Sequence, residues 1–120
     1  MANYQDAHLL AATAAITALG NRIGLYVGGT RVGTVYVDTS WGAPEKVTED
    51  GFVWGKATGS AGTITVPGGT LSNGAVIDRY GILNGSTLLR TEALPVALTI
   101  NDGSQSFSVD VTPIFRLRAA

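Results

Sequence analysis

The sequence has no cysteine, a single histidine and few charged residues. Without cysteine it has neither disulfides nor thiolate metal sites, so the fold must be stabilised by burial or by association with other chains. Charged residues make up 14% of the 120 residues, against about a quarter in typical soluble domains. The length of 120 residues predicts a single domain over residues 1–120. The low charge predicts that its surface is partly covered by neighbouring copies or by a larger assembly.

Positive charge is also sparse. Eight Lys and Arg residues and nine Asp and Glu residues give a net charge of −1, and the basic residues are scattered. Because nucleic-acid binding depends on clustered cations that neutralise phosphates, we expect no nucleic-acid partner. Met1 to Asp6 lacks the positive region of a signal peptide and the apolar stretch after it stops at Gly20, so we expect neither a signal peptide nor a membrane partner.

Candidates for catalysis are few and poorly placed. His8 lies in the first turn of a predicted helix, with no nucleophile and carboxylate in a triad pattern. Glu45, Glu49 and Asp50 are close in sequence, but their spacing matches neither a glycosidase pair nor a calcium loop. No glycine-rich loop carries the Lys-Ser or Lys-Thr pair of a phosphate-binding loop. We therefore predict no catalytic residue, no metal and no cofactor, and expect that the protein is not an enzyme.

The first twenty residues predict a helix. Asp6 is a good N-cap residue, and Gly20 is a good stop signal. Between them the apolar side chains recur at spacings of three and four residues, as Leu9, Ala12, Ile16 and Leu19. This spacing predicts a helix over residues 6–19 whose apolar stripe docks on a sheet or on another copy of the chain.

After Gly20, short runs rich in Val, Ile, Thr and Tyr alternate with glycines, which predicts a β module over residues 22–117. Hairpin turns are predicted at Gly28-Gly29, Asn84-Gly85 and Asn101-Asp102-Gly103. Residues 39–61 are expected to form an irregular surface excursion. The candidate strands are 22–27, 31–38, 63–66, 75–83, 87–91, 96–100 and 105–111. The predicted fold class is mainly β: a single antiparallel β-sandwich or small barrel with one N-terminal α-helix.

Four aromatic residues permit a second interpretation. Flat aromatic faces stack on pyranose rings, so Tyr36, Trp41, Trp54 and Tyr80 could form a sugar-binding platform. The same residues could instead be anchors of the core or of an interface. The platform interpretation describes a carbohydrate-binding module, with host cell-wall carbohydrate as its ligand.

Five short segments, taken in order and spacing over nearly the whole chain, carry a family resemblance. They are Leu19-Gly20 leading into 23–27, Ser40-Trp41-Gly42-Ala43-Pro44, the strand-to-turn segment 64–68, the strand segment 78–82, and the closing segment 94–103. Together they resemble small virion structural proteins of actinobacterial bacteriophages, of the minor tail, tail-fibre or head-decoration type. Residues 24–27 differ from the Ser-Leu-His-Thr strand usual in that family. The resemblance implies no catalytic residues and a location in the virion, assembled in the cytoplasm of the bacterial host.

The function expected from this resemblance is that of a bacteriophage virion structural protein. We expect a homo-oligomer, for which a trimer is one arrangement, on the particle surface in contact with major capsid or tail proteins. Since no repeat or heptad of a fibre shaft is present, a capsid decoration (minor capsid) protein is preferred to a minor tail, tail-tip or fibre protein. Candidate interface residues, each of which could instead be monomer core, are Leu9, Ala12, Ile16, Leu19, Trp41, Ile114, Phe115 and Leu117.

Overall fold

The computed structural model describes residues 3–120; Met1 and Ala2, the start of the segment searched for a signal peptide, lie outside the described residues. The mainly β prediction with one N-terminal helix is confirmed. The antiparallel sheets form a sandwich-like arrangement, and residues 3–120 form no closed barrel. The elements are α1 (Asp6–Thr17), β1 (Arg22–Val27), β2 (Thr30–Arg31), β3 (Val37–Asp38), β4 (Glu45–Glu49), β5 (Phe52–Thr58), β6 (Gly62–Val66), β7 (Val76–Asn84), β8 (Thr87–Thr99), β9 (Phe107–Val111) and β10 (Ile114–Arg118).

Three sheets build the molecule, which measures 50 × 28 × 22 Å. The largest has the order β2-β1-β7-β8, with β3 also paired to β1; the second has the order β10-β5-β4, and the third pairs β6 with β9. Apolar side chains of the largest sheet pack against those of β6 and β9 to form the core. Its fully or almost fully buried members include Ile23, Leu25, Ile64, Val66, Ile77, Ile82, Val109 and Val111.

The second and third sheets are two parts of one bent ribbon. β5 and β6 follow each other along the chain, and they pair with β10 and β9 respectively. Residues 59–61 on one strand oppose residues 112–113 on the other, which makes a β-bulge at the bend. Here Gly59 N–H donates to the carbonyl oxygen of Pro113 at 2.8 Å. Pro113 therefore marks the point at which the chain changes sheets, which suits a residue that cannot donate to a ladder.

Helix α1 packs on the β10-β5-β4 sheet through small side chains. Its buried residues are Leu9, Thr13 and Thr17, one turn apart. A Cβ atom on Gly55 would overlap Thr13 Oγ1 and lie 3.0 Å from Leu9 Cγ, so the helix rests directly on the strand backbone. The Thr13 hydroxyl donates to the Leu9 carbonyl oxygen at 2.8 Å. This bond satisfies the hydroxyl within the helix and lets threonine face an apolar surface.

The predicted apolar stripe is therefore wrong in its position. Of its four residues only Leu9 is fully buried; Ala12 and Ile16 are half-buried at the sides, and Leu19 is 59% exposed. The helix also ends at Thr17 instead of residue 19. Its N-cap is Gln5, while Asp6 is the first helical residue and pairs with Lys46.

Residues 39–61 are not an irregular excursion, and this expectation is wrong. They contain β4 and β5, which form a hairpin with Glu49 opposite Phe52. The two loop residues, Asp50 and Gly51, have φ angles of 54° and 79°. Two positive φ angles are the geometry of a type I′ turn, for which Asp-Gly is a preferred pair. The turn signal was therefore present in the sequence.

Two of the three predicted hairpins are confirmed. Val27 pairs with Thr30 across Gly28-Gly29, and Asn84 pairs with Thr87, so that the second loop is residues 85–86. The third prediction, a hairpin at residues 101–103, is wrong because β8 pairs with β7 while β9 pairs with β6.

Several strand bounds also differ from prediction. The expected strand 31–38 is interrupted at residues 32–36. The expected strands 87–91 and 96–100 are parts of the single strand β8, which ends at Thr99.

The first and last described segments lie side by side. The Tyr4 N–H donates to the carbonyl oxygen of Ala119 at 2.7 Å, and the Ala119 N–H donates to that of Val53 at 2.9 Å. Both segments therefore meet at the same edge of the molecule.

Candidate functional site

The main opening in the described structure is a seam between β8 and the ribbon strands β9 and β10. β8 ends its sheet and pairs with β7, while β9 pairs with β6 and β10 with β5, so that residues 3–120 form no ladder across the gap. Three clefts of 370, 310 and 320 Å³ follow one another along it. Residues 92–95 face 112–116 in the first cleft, and 94–98 face 108–110 in the second. In the third, 98–102 face 105–108.

The first cleft is bridged by Tyr80. Its hydroxyl donates to Glu92 Oε2 at 3.0 Å and accepts from the Ile114 N–H at 3.1 Å. Burial raises the pKa of Tyr80 to about 12. The phenol therefore stays protonated at neutral pH, where it connects the largest sheet to β10 and does not act as a base.

Arg90 fills the end of the seam beyond Tyr80. Its guanidinium lies 4.7 Å from the centre of the Phe115 ring and 5.8 Å from that of Trp41. Trp41 Nε1 donates to the carbonyl oxygen of Gly20 at 2.9 Å. Two candidate interface residues, Trp41 and Phe115, are thus half-buried and make contacts within the monomer. Cation–π contact stabilises the Arg90 guanidinium, whose Nε and Nη2 find no hydrogen-bond partner among residues 3–120.

The opposite end of the seam, which we call the lower seam, comprises residues 94–102 and 105–110. Val96 is 74% exposed and Leu98 is 38% exposed, although both lie on a strand that borders the core. Asp102 and Asp110 stand at the rim, and no cation of the described chain forms an ion pair with either. Hydrogen bonds from the Ser104 hydroxyl and N–H lower the pKa of Asp102, so this rim is anionic at neutral pH.

The carboxylates considered for acid–base catalysis do not converge. Glu49 accepts hydrogen bonds from Lys56 Nζ at 2.9 Å and from Arg116 Nη1 at 3.1 Å. The bond from Lys56, followed by that from Arg116, lowers the pKa of Glu49, while Asp50 and then Glu49 raise the pKa of Arg116. Glu45 lies four residues from Glu49 along β4, about 13 Å away at the rise of a strand. The cluster is an ion-pair network on the sheet surface.

The four aromatic residues do not form one exposed platform. Arg116 lies 4.2 Å from the Trp54 ring centre, and Arg22 lies 3.7 Å from that of Tyr36. Tyr80 is only 5% exposed. An arginine therefore covers one face of Trp54 and one face of Tyr36, while Tyr80 is buried.

The remaining sequence candidates are dispersed. His8 is exposed and packs edge-on against Tyr4 at 5.1 Å. Ile114 lines the first cleft, and Leu117 is half-buried on β10. Sequence reasoning missed the exposed Leu88, Leu89 and Val96, because a strand of apolar residues was expected to be buried. Two sequence signals could have indicated this exposure. Leu88 and Leu89 follow closely after a hairpin loop, and Val96 follows Pro95 within a strand.

Residues 3–120 contain no helix long and apolar enough to cross a membrane. In the same part of the chain, no three His, Cys, Asp or Glu side chains are grouped to hold a metal ion. Comparison with known protein families, with curated proteins and with solved structures gives no match to this chain.

Proposed function

We propose that this chain is a structural protein of a bacteriophage particle, assembles as a homo-oligomer, and serves as a capsid decoration protein in preference to a minor tail protein. The resemblance in segment order supports the bacteriophage setting. The observation that carries the assembly is a pair of exposed leucines beside Gly20, Leu19 and Leu89, which we call the leucine patch.

The leucine patch lies where α1 ends and β8 begins. Leu19 is 59% exposed and Leu89 is 42% exposed. Leu89 Cδ1 packs over Gly20, where an added Cβ would lie 2.7 Å away, and Leu19 precedes that glycine in the chain. Grouped exposed apolar side chains on a protein with few charges favour a protein–protein contact.

A structural role, not a catalytic one, also agrees with the ionisable groups. Glu49 and Asp50 are held by cations, and the Tyr80 phenol is protonated at neutral pH. Arg116 and Arg22 cover aromatic faces that a carbohydrate would stack on. These contacts favour assembly over the carbohydrate-binding alternative.

The assembly is tested by sedimentation velocity of the purified chain. We expect an oligomer at about 100 µM, a concentration at which contacts of micromolar affinity are populated. Leu19→Lys should shift the protein to a monomer because it places a charge in the patch. Val76→Lys, at another exposed apolar position, is the matched control and should leave the oligomer intact. A wild-type protein that remains monomeric would reject the homo-oligomer.

The bacteriophage role is tested by counting copies per particle, using quantitative mass spectrometry on virions purified from the phage that encodes the chain. Copies on the order of hundreds, as symmetric shells require, would support decoration of the head. A few to a few tens of copies would favour the tail and overturn the head assignment. Absence from the particle would reject the virion role altogether.

A further inference from the structure

We infer that the lower seam binds an extended segment of a partner polypeptide, which adds a strand between β8 and β9. The proposed segment alternates apolar and polar residues and carries a basic residue at its end. This inference goes beyond the proposed function and does not depend on it, because the lower seam and the leucine patch are separate surfaces.

Two free strand edges face the seam, one on each side. β8 and β9 each end a sheet, and within residues 3–120 neither pairs with a strand on the side that faces the seam. Unpaired N–H and C=O groups along a strand edge accept an added strand, which is a common mode of peptide binding. Two such edges on either side of one gap offer an inserted strand hydrogen bonds on both sides.

Exposed apolar side chains line the lower seam. Between the pairs Ile77–Leu98 and Arg79–Ala93, four residues of β8 oppose Asp78 alone. This bulge carries Pro95 and Val96 away from β7, and both line the 310 Å³ cleft beside Val109. The two clefts of the lower seam therefore offer apolar pockets for the alternate side chains of a strand.

Charge selects the occupant. Asp102 and Asp110 line the lower seam and form no ion pair within the described structure, while Asp110 Oδ1 accepts a hydrogen bond from Thr63 Oγ1 at 2.7 Å. A lysine or arginine of the occupant would therefore face two carboxylates that no cation neutralises. A second copy of this chain offers few such groups. Five of its eight basic residues lie within 4.0 Å of one of its own carboxylates. A different polypeptide with a free basic residue fits better.

The length of the occupant follows from the lining. The facing strand β9 covers five positions, Phe107–Val111, about 17 Å at the rise of a strand. We therefore choose as a probe a nine-residue peptide, long enough to cover these positions, of alternating threonine and valine with a lysine at each end. Matched controls are the same peptide with glutamate at both ends, and a version with proline at the central position.

Binding is measured by fluorescence anisotropy of the labelled peptides with the full chain. We expect saturable binding of the lysine peptide, and binding of the glutamate peptide that is about three- to tenfold weaker, as one or two exposed charge pairs provide. Proline should weaken binding because it removes a donor from the ladder. Hydrogen exchange should slow at amides of β8 and β9 when the lysine peptide is bound.

Two variants locate the site. Val96→Asp should weaken binding at least about tenfold because it places a charge in the apolar lining, whereas Leu19→Asp, at another exposed apolar position, should leave binding unchanged. Asp110→Asn should reduce the preference for lysine over glutamate ends. Asp38→Asn, on a strand outside the seam, should not.

Four outcomes would overturn the inference. They are no saturation of the lysine peptide, equal binding of the lysine and glutamate peptides, unchanged binding by Val96→Asp, and slowed exchange confined to other strands. If Val96→Asp abolishes self-association while Leu19→Lys does not, the occupant is a second copy and the assignment to a different partner is wrong. If only Leu19→Lys loses self-association, the result bears on the homo-oligomer of the proposed function and leaves the inference about the lower seam unchanged.

Discussion

Gly55 sets the distance between α1 and the sheet beneath it. An added Cβ would overlap Thr13 Oγ1 and crowd Leu9, so we expect Gly55→Ala to lower the free energy of unfolding by about 1–3 kcal/mol, as overpacking does. Urea denaturation measures this change.

Gly29→Ala is the matched control for Gly55→Ala. Gly29 has no atom within 4 Å of an added Cβ and no positive φ. Gly29→Ala should therefore lower the free energy of unfolding much less than Gly55→Ala does. Equal losses from the two variants would contradict the close contact of helix and strand.

For individual residues, the sequence predicted only part of the packing of α1 on the sheet. Leu9 was expected to dock on a sheet or on another copy of the chain, and it is fully buried. Thr13 and Thr17 were not chosen because threonine counts as polar. Both side chains are nevertheless buried, because each hydroxyl donates to the carbonyl oxygen four residues earlier. Gly55 could not be selected from its neighbours, because its partner is more than forty residues away.

The Asp50-Gly51 turn determines the β4–β5 hairpin. Gly51 has a φ of 79°, a conformation that costs an L-residue about 1 kcal/mol. Gly51→Ala should therefore lower stability by about that amount, and Gly51→Asn should lower it less because asparagine tolerates positive φ. Thermal unfolding of the two variants tests this order, and a Gly51→Asn variant less stable than Gly51→Ala would contradict the turn geometry.

Turns closed by two residues could be predicted because the signal is local, as at Gly28-Gly29. That β8 pairs with β7 and β9 with β6, and not β8 with β9, could not be predicted, since the choice of partner depends on residues far away in sequence. Asn101-Asp102-Gly103 does form a tight connection, in which Gly103 N–H donates to Asn73 Oδ1 at 2.7 Å. That contact directs the chain to the other sheet, where β9 finds β6 instead.

For the whole molecule, Tyr80 couples stability to pH because its hydroxyl joins the largest sheet to β10. Its folded pKa of about 12 lies above the ordinary value of 10.0. The stabilising contribution is therefore complete below pH 10 and is lost as the pH rises through 12. After allowance for solvent screening, we expect a loss on the order of 1 kcal/mol.

Urea denaturation at pH 9 and at pH 11.5 measures this loss. Tyr80→Phe should show a smaller decrease between the two values than the wild type. Tyr36→Phe, which removes an exposed phenol, should keep the wild-type decrease. An undiminished decrease in Tyr80→Phe would show that other groups control alkaline unfolding.

The fold class could be predicted because glycine-separated runs of β-forming residues extend over most of the chain. The open seam could not, because it depends on whether two edges meet in space, and no residue pattern of β8 or β9 encodes that. The aromatic residues were equally ambiguous until Arg22 and Arg116 were located on their faces.

The hydrogen bond between Tyr4 and Ala119 has a mechanical consequence. Any chain or tether attached beyond either residue would leave from the same corner, so tension between the two attachments would not run along the 50 Å axis. The load would instead open the contacts of that corner one after another. With both attachments at one corner, the molecule would project to the side of the line that joins them and would add little to the distance between the two attached chains.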